Sequence, residues 1–314
     1  MTATTSLRDI PLDSAVCQIN ASLGAAEAQP IVQSFFDEVT NTASHVVSDA
    51  RTRAAAIIDP VLDFDFASGR TGTASADKIL AYVADKDLTV EWLLETHAHA
   101  DHLSSAPYLQ ERLGGRTAIG RAITAVQDHF GALFNDRATL DRSAALFDHL
   151  FDDGDLFEIG DLKASVLHIP GHTPADLGYV IGNSVFCGDT LFMPDFGTAR
   201  ADFPGGDARQ LYRSIRRLLC LPRETRLFLC HDYKASGRDQ FCWETTIGAE
   251  CDHNVHVRDG ISEDAFVAMR TARDATLDMP KLVLPSIQVN MRGGRLPCPE
   301  SNGTRYLKIP LNAF

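Results

Sequence analysis

Nothing in this chain approaches the roughly 20 consecutive apolar residues that a membrane-crossing helix needs. Met1 to Ala15 carries one arginine, two aspartates and no apolar core segment, so neither a secretory signal nor a transit peptide is expected. Walker A and GxGxxG loops are both absent, and nucleotide binding has no support. No CxxC occurs among the seven scattered cysteines. Without a signal peptide, an odd and irregular set of this kind reads as reduced core thiols of a cytoplasmic protein. Basic residues are also short, 29 against 42 acidic, for a net charge of -13. That sign argues against non-specific binding to nucleic acid or to an anionic membrane. It leaves room for a local basic pocket that takes an anionic small molecule. There is no fixed-period repeat, low-complexity tract or interdomain linker.

What is present is an ordinary core supply, 45% hydrophobic over 314 residues. Residues 1–28 have weak periodicity and read as an arm, flexible or loosely docked. Residues 29–314 read as one domain. Val32 to Val39 and Ala43 to Val47 predict paired strands about a turn at Thr40-Asn41-Thr42. Ala54 to Pro60 predicts a buried strand, Val61 to Gly72 a loop, and Ser75 to Val83 a helix. Residues 121–153 read as an insertion bordering the site, with His129 and His149 as structural histidines. Strands then return at Leu162 to Ile169, Tyr179 to Ile181, Ser184 to Cys187 and Leu227 to Cys230, with a turn at Gly182-Asn183. Asp207 is placed to cap a helix, and another helix covers about Ser262 to Asp274. The stretch Leu282 to Phe314 reads as a tail of prolines, a turn and short apolar pieces.

The chemistry concentrates where strands end. The apolar run Val90 to Leu94 leads into Thr96-His97-Ala98-His99-Ala100-Asp101-His102. Three imidazoles and a carboxylate on a strand-to-helix turn can converge on one ion, and they suit zinc, iron or manganese. The same event recurs at Gly171-His172, at Gly188-Asp189 and at His231. Rigid strand ends can bring such scattered ligands together at one sheet edge. Glycine before His172 and Asp189 allows tight turns there.

Taken in order, HxHxDH, then Gly171-His172-Thr173, then Gly188-Asp189-Thr190, then His231 resembles the metallo-β-lactamase superfamily over roughly Pro30 to Tyr233. The resemblance implies an α/β fold, an αββα sandwich of two mixed sheets flanked by helices, with a metal site at one edge. A carboxylate at Asp189 in place of cysteine is similar to the branch that holds glyoxalase II and the persulfide dioxygenases. Glu95 to Ser104, His231-Asp232-Tyr233 and Arg200-Ala201-Asp202-Phe203 resemble the persulfide dioxygenases more closely. The C-terminal section looks like bacterial β-lactamase-like hydrolases linked to sulfide detoxification. The loop from Asp189 to Arg200 differs from that subgroup's usual Gly-Cys-Gly-Arg, which bears on the substrate more than on the metal.

For the site, the resemblance implies one Fe(II) on His97, His172 and Asp189, with zinc, one or two per chain, as the alternative. Asp101, Arg200 and Tyr233 are candidate catalytic residues, Arg200 as a grip for a substrate carboxylate or as a plain partner of Asp202. His99, Asp101, His102, His231 and Asp202 either support the first metal's ligands or hold a second metal. The implied reaction is oxidation of glutathione persulfide by O2 to sulfite and glutathione. The rival is a binuclear hydrolase of glyoxalase II type, acting on a glutathione thioester or a lactone. No nucleic-acid or membrane partner is expected, and a homodimer is allowed.

Overall fold

The computed structural model describes residues 9–137, 140 and 146–313. Helix α1 (Ile10–Leu23) comes first, followed by the hairpin β1 (Ile31–Asp37) and β2 (Thr42–Ser48) and by β3 (Ala54–Ile58). Next are the short hairpin β4 (Val61–Asp65) and β5 (Arg70–Gly72), α2 (Ala74–Asp85) and β6 (Thr89–Leu94). Then follow β7 (Leu103–Ser104), α3 (Ala106–Leu113), β8 (Arg116–Gly120), α4 (Ile123–Leu133) and β9 (His149–Phe151). The second half holds β10 (Leu156–Ile159), β11 (Leu162–His168), β12 (Leu177–Ile181), β13 (Ser184–Phe186), α5 (Ala208–Leu218) and β14 (Arg226–Phe228). It closes with β15 (Glu244–Thr246), α6 (Ile247–His253), α7 (Glu263–Asp274) and α8 (Val283–Asn290).

Two six-stranded sheets form, ordered β1-β2-β3-β6-β8-β9 and β10-β11-β12-β13-β14-β15. Both are mixed, since β3, β6, β8 and β9 run parallel in the first and only β13 and β14 do in the second. A small third sheet, β5-β4-β7, lies beside the first.

Alternation along each strand explains the layering. On β3, Ala54, Ala56 and Ile58 face the space between the large sheets, while Ala55 and Ile57 face α2 and α3. On β11, Leu162, Ala164 and Val166 face inward; Leu167, together with Ile169 just past the strand, faces α5, α6 and α7. Successive side chains of a strand point to opposite faces, so a strand buried on both sides is apolar throughout. The result is helices, sheet, sheet, helices, as the resemblance implied.

Four readings are corrected by the structure. Part of residues 1–28 is a docked helix: Ala15 and Ile19 of α1 are fully buried on the outer face of the second sheet. Arg217 fastens its start by pairing with both Asp9 and Asp153. Residues 121–153 are not wholly an insertion, because His149–Phe151 is the edge strand of the first sheet. Val61–Gly72 is a hairpin, and the tail begins with a helix, α8. Among the described residues no helix is long and apolar enough to cross a membrane.

Candidate metal centre

The histidines and aspartates past the ends of β6, β11, β13 and β14 meet at one edge of the sandwich. Asp189 stands between two groups of donors. Its Oδ2 lies 3.6 Å from His172 Nε2 and 3.9 Å from His97 Nε2. Its Oδ1 lies 3.3 Å from His231 Nε2, which is itself 3.1 Å from Asp101 Oδ2. Donor atoms of His97, His172 and Asp189 all fall within 4.8 Å of one another, as do those of His99, Asp101, His102 and His231. All seven expected ligand or support residues of the two groups are therefore brought together.

Each imidazole is oriented by a partner on its other nitrogen. A carboxylate can only accept, so His99 Nε2 donates to Asp59 Oδ1 at 2.9 Å. Thr96 donates its backbone N–H and its hydroxyl to the same carboxylate, each at 2.8 Å. With its proton committed, the Thr96 oxygen accepts from His97 Nδ1 at 3.0 Å. His172 Nδ1 donates to Arg200 O at 2.8 Å, and His231 Nδ1 to Asn41 O at 3.0 Å. His102 Nδ1 faces Asp101 and Thr42. These contacts engage one nitrogen of each ring and leave the other facing the centre.

Those inward atoms test whether a metal fits. His97 Nε2, His99 Nδ1, His102 Nε2, His231 Nε2 and Asp189 Oδ1 are buried without a hydrogen-bond partner. Buried polar atoms left unpaired are costly and rare, and this many on one spot is the mark of an ion site. Burial, reinforced by the neighbouring charges of His99 and His172, pushes His97 well below the usual imidazole range. Its nitrogen is thus a free donor at neutral pH. Imidazole and carboxylate donors of this kind suit a divalent transition metal.

Two glycines make the convergence sterically feasible. Gly171 has φ +148°, and a Cβ there would lie 2.3 Å from Leu211 Cα. Gly188 has φ +51°, and a Cβ there would lie 2.4 Å from Thr96 Oγ1 and 3.3 Å from His97 Nδ1. Both turns need a residue without a side chain.

The centre opens into a cleft of about 1290 Å³. Phe192, Phe196 and Tyr233 form an aromatic wall, with the Tyr233 ring stacked 5.6 Å from His231. Arg200 also lines the cleft, but its side chain is not free to grip a substrate. Its Nε and Nη2 bind Asp202 at 2.6 and 2.8 Å, and Nη1 binds Asp278 O at 2.7 Å. Asp202 holds Arg200, whose carbonyl in turn orients His172. His129 and His149 lie apart from the donors.

Several residues of the centre escaped sequence reasoning. Asp59 follows a buried strand as the ligands do, and that position was its signal. Glu95 accepts from the Ser104 hydroxyl and lies 3.4 Å from His99 Nε2. Cys230 is buried with its thiol within 4.8 Å of donor atoms of Asp189 and His231. Asn290, on α8, had no signal at all.

Comparison with known proteins agrees with this architecture. The chain is 57% identical over 293 residues to a "Probable metallo-hydrolase" of Burkholderia pseudomallei, covering 90% of this chain and 99% of that one. It is 55% identical over 285 residues to a "Beta-lactamase hydrolase-like protein" of Xylella fastidiosa, covering 91% of this chain but only 65% of that longer protein. Among solved structures, ETHE1 from Myxococcus xanthus superposes with a TM-score of 0.67 at 32% identity, covering 84% of this chain and all of that one. The family model for the metallo-beta-lactamase superfamily matches residues 38–231, the span that carries every donor described above, and the chain belongs to that superfamily.

Proposed function

We propose that the chain is an iron-dependent persulfide dioxygenase, which oxidises glutathione persulfide with O2 to sulfite and glutathione. The observation that carries this reading is the set His97, His172 and Asp189, two imidazoles and one carboxylate facing a roomy cleft. Such a set leaves coordination positions for substrate and O2 on a ferrous ion. The likeness to ETHE1 over that protein's whole length supports it, as does the sequence His231-Asp232-Tyr233.

When bound, iron would supply the one-electron chemistry that lets O2 react with a closed-shell sulfur. The chain's own residues do the rest. Thr96, Asp59, Arg200 O and Asn41 O keep the ligand rings in one tautomer and one orientation. Phe192, Phe196 and Tyr233 exclude water from one side of the reacting sulfur. Both atoms of O2 end on the terminal sulfur; water supplies the third oxygen of sulfite, and cleavage of the S–S bond returns the thiol with release of two protons.

Arg273 and Lys281 line the same cleft and have no acidic partner among the described residues. Arg200 and Arg270 are occupied by Asp202 and Asp274. With Arg70, a third cation of the lining that has no acidic partner among the described residues, Arg273 and Lys281 are suited to the carboxylates of the thiol carrier.

A second reading is favoured by one specific feature, the Oδ1 side of Asp189 facing His231 and Asp101. That arrangement would serve a binuclear hydrolase, where a metal-acidified hydroxide attacks a thioester. Elemental analysis with an oxygen electrode decides between them. We expect about one iron per chain and oxygen uptake with glutathione persulfide. Two zinc ions with thioester hydrolysis and no oxygen uptake would establish the rival.

A further inference from the structure

The loop that carries His97, His99 and His102 has almost no regular structure, yet it is buried. A buried irregular backbone must find partners for its N–H and C=O groups. Three of these groups find their partner in one side chain from the far end of the chain. Asn290, the last residue of α8 and 5% exposed, spends its whole amide on this loop. Its Nδ2 donates to His99 O at 2.9 Å and to His102 O at 2.8 Å, and its Oδ1 accepts from Ser104 N at 2.9 Å. Two backbone carbonyls can only accept and one N–H can only donate. The chemistry therefore calls for an amide, with both donors and an acceptor on one short planar group. Aspartate has the shape but no donors, and would face two carbonyl oxygens with a negative charge.

The points of attachment matter. His99 and His102 are donors of the centre, and the clamp holds the backbone of both at once. Fixing these two carbonyls fixes the pitch of the turn between them, and with it the spacing of the two rings, whose centroids are 4.2 Å apart. Helix α8 lies outside residues 38–231, so the support comes from a segment that the superfamily match does not include.

We propose that Asn290 is a positioning residue for the metal centre, which preorganises the His97–His102 loop through its amide before metal arrives. This rests on the reading of the site as a metal centre, and not on which reaction it performs. Partners that orient metal ligands typically change affinity by about 10- to 100-fold when removed.

The test uses the full chain stripped of metal and titrated with Co(II), with affinity and the visible ligand-field spectrum as readouts. Asn290→Ala and Asn290→Asp are compared with Gln288→Ala. Gln288 lies on the same helix and is equally buried, but its amide holds Leu284 O and the Lys308 backbone. We expect both Asn290 variants to bind Co(II) at least about tenfold more weakly, with a shifted spectrum. Gln288→Ala should lower the melting temperature while keeping the wild-type affinity and spectrum. Wild-type Co(II) binding in the Asn290 variants would overturn the proposal, and so would an equal loss in Gln288→Ala. If Asn290→Ala does not fold, Asn290→Asp, which keeps size and acceptor, carries the test. A wild-type chain that takes up no Co(II) would sink the metal centre itself, a failure distinguishable from that of the clamp alone.

Discussion

The Asp59 carboxylate lies 2.9 Å from His99 Nε2, and the same group takes both the N–H and the hydroxyl of Thr96. One buried carboxylate thereby sets the tautomer of His99 directly and that of His97 through Thr96. Asp59 touches no inward-facing atom of the donor set, yet two of its rings depend on it. Replacement by alanine should weaken metal binding by about 10- to 100-fold, read by competition with a chelator. Unchanged affinity would show that the rings hold their orientation without it.

Gly188 is predicted to tolerate no side chain. Gly188→Ala combines a positive φ with a Cβ 2.4 Å from the Thr96 hydroxyl. The backbone strain alone costs about 1–3 kcal/mol. Gly69, with φ +66° and open space around it, is the matched control for strain without crowding. Only the Gly188 variant should also lose metal, measured by elemental analysis after desalting. Full metal content in that variant would detach the Thr96 hydroxyl from the centre's assembly.

Arg273→Ala and Lys281→Ala should raise KM for glutathione persulfide by roughly tenfold each, the worth of one charge-assisted hydrogen bond, with kcat near the wild-type value. A persulfide whose carrier has no carboxylate should be insensitive to both changes. Equal effects on charged and uncharged carriers would remove these residues from substrate recognition.

Glu250 yields a prediction on pH. Burial pushes its carboxyl up to about 8, against a minor opposing effect of the Asn254 amide. In the folded chain it keeps its proton at neutral pH, whereas the unfolded chain releases it above an ordinary value near 4.5. Its contribution to stability is therefore fully present below about pH 4.5 and is lost as pH rises toward 8. Glu250→Gln should flatten that part of the curve, so that the variant gains on the wild type between pH 5 and pH 8 in denaturant melts. Parallel curves over this range would mean that Glu250 ionises normally.

Much of the site was legible because its signals are local. Ligand types just past apolar strands, glycine before His172 and Asp189, and HxHxDH can each be read within a few residues. The existence of the strands β3 and β11 was equally plain. The hairpin at Val61–Gly72 was hidden by Asp63 and Asp65, which break the apolar pattern on a half-exposed pair of strands. Helix α8 was hidden because its buried residues interleave polar Ser286, Gln288 and Asn290 with Val283, Ile287 and Val289, and because Pro285 falls in its first turn.

From its own residues, then, the chain set which strands are buried on both faces and which side chains are available to a metal. Tertiary structure alone decided which nitrogen of each ring faces the centre, that Arg200 is already engaged, and that the metal loop is held from α8. The reason is physical. Periodicity and ligand type act over a few residues, whereas the tautomer of His172 and the pitch of the metal loop are set by hydrogen bonds to groups 28 and 191 positions away, Arg200 O for His172 and Asn290 for His99.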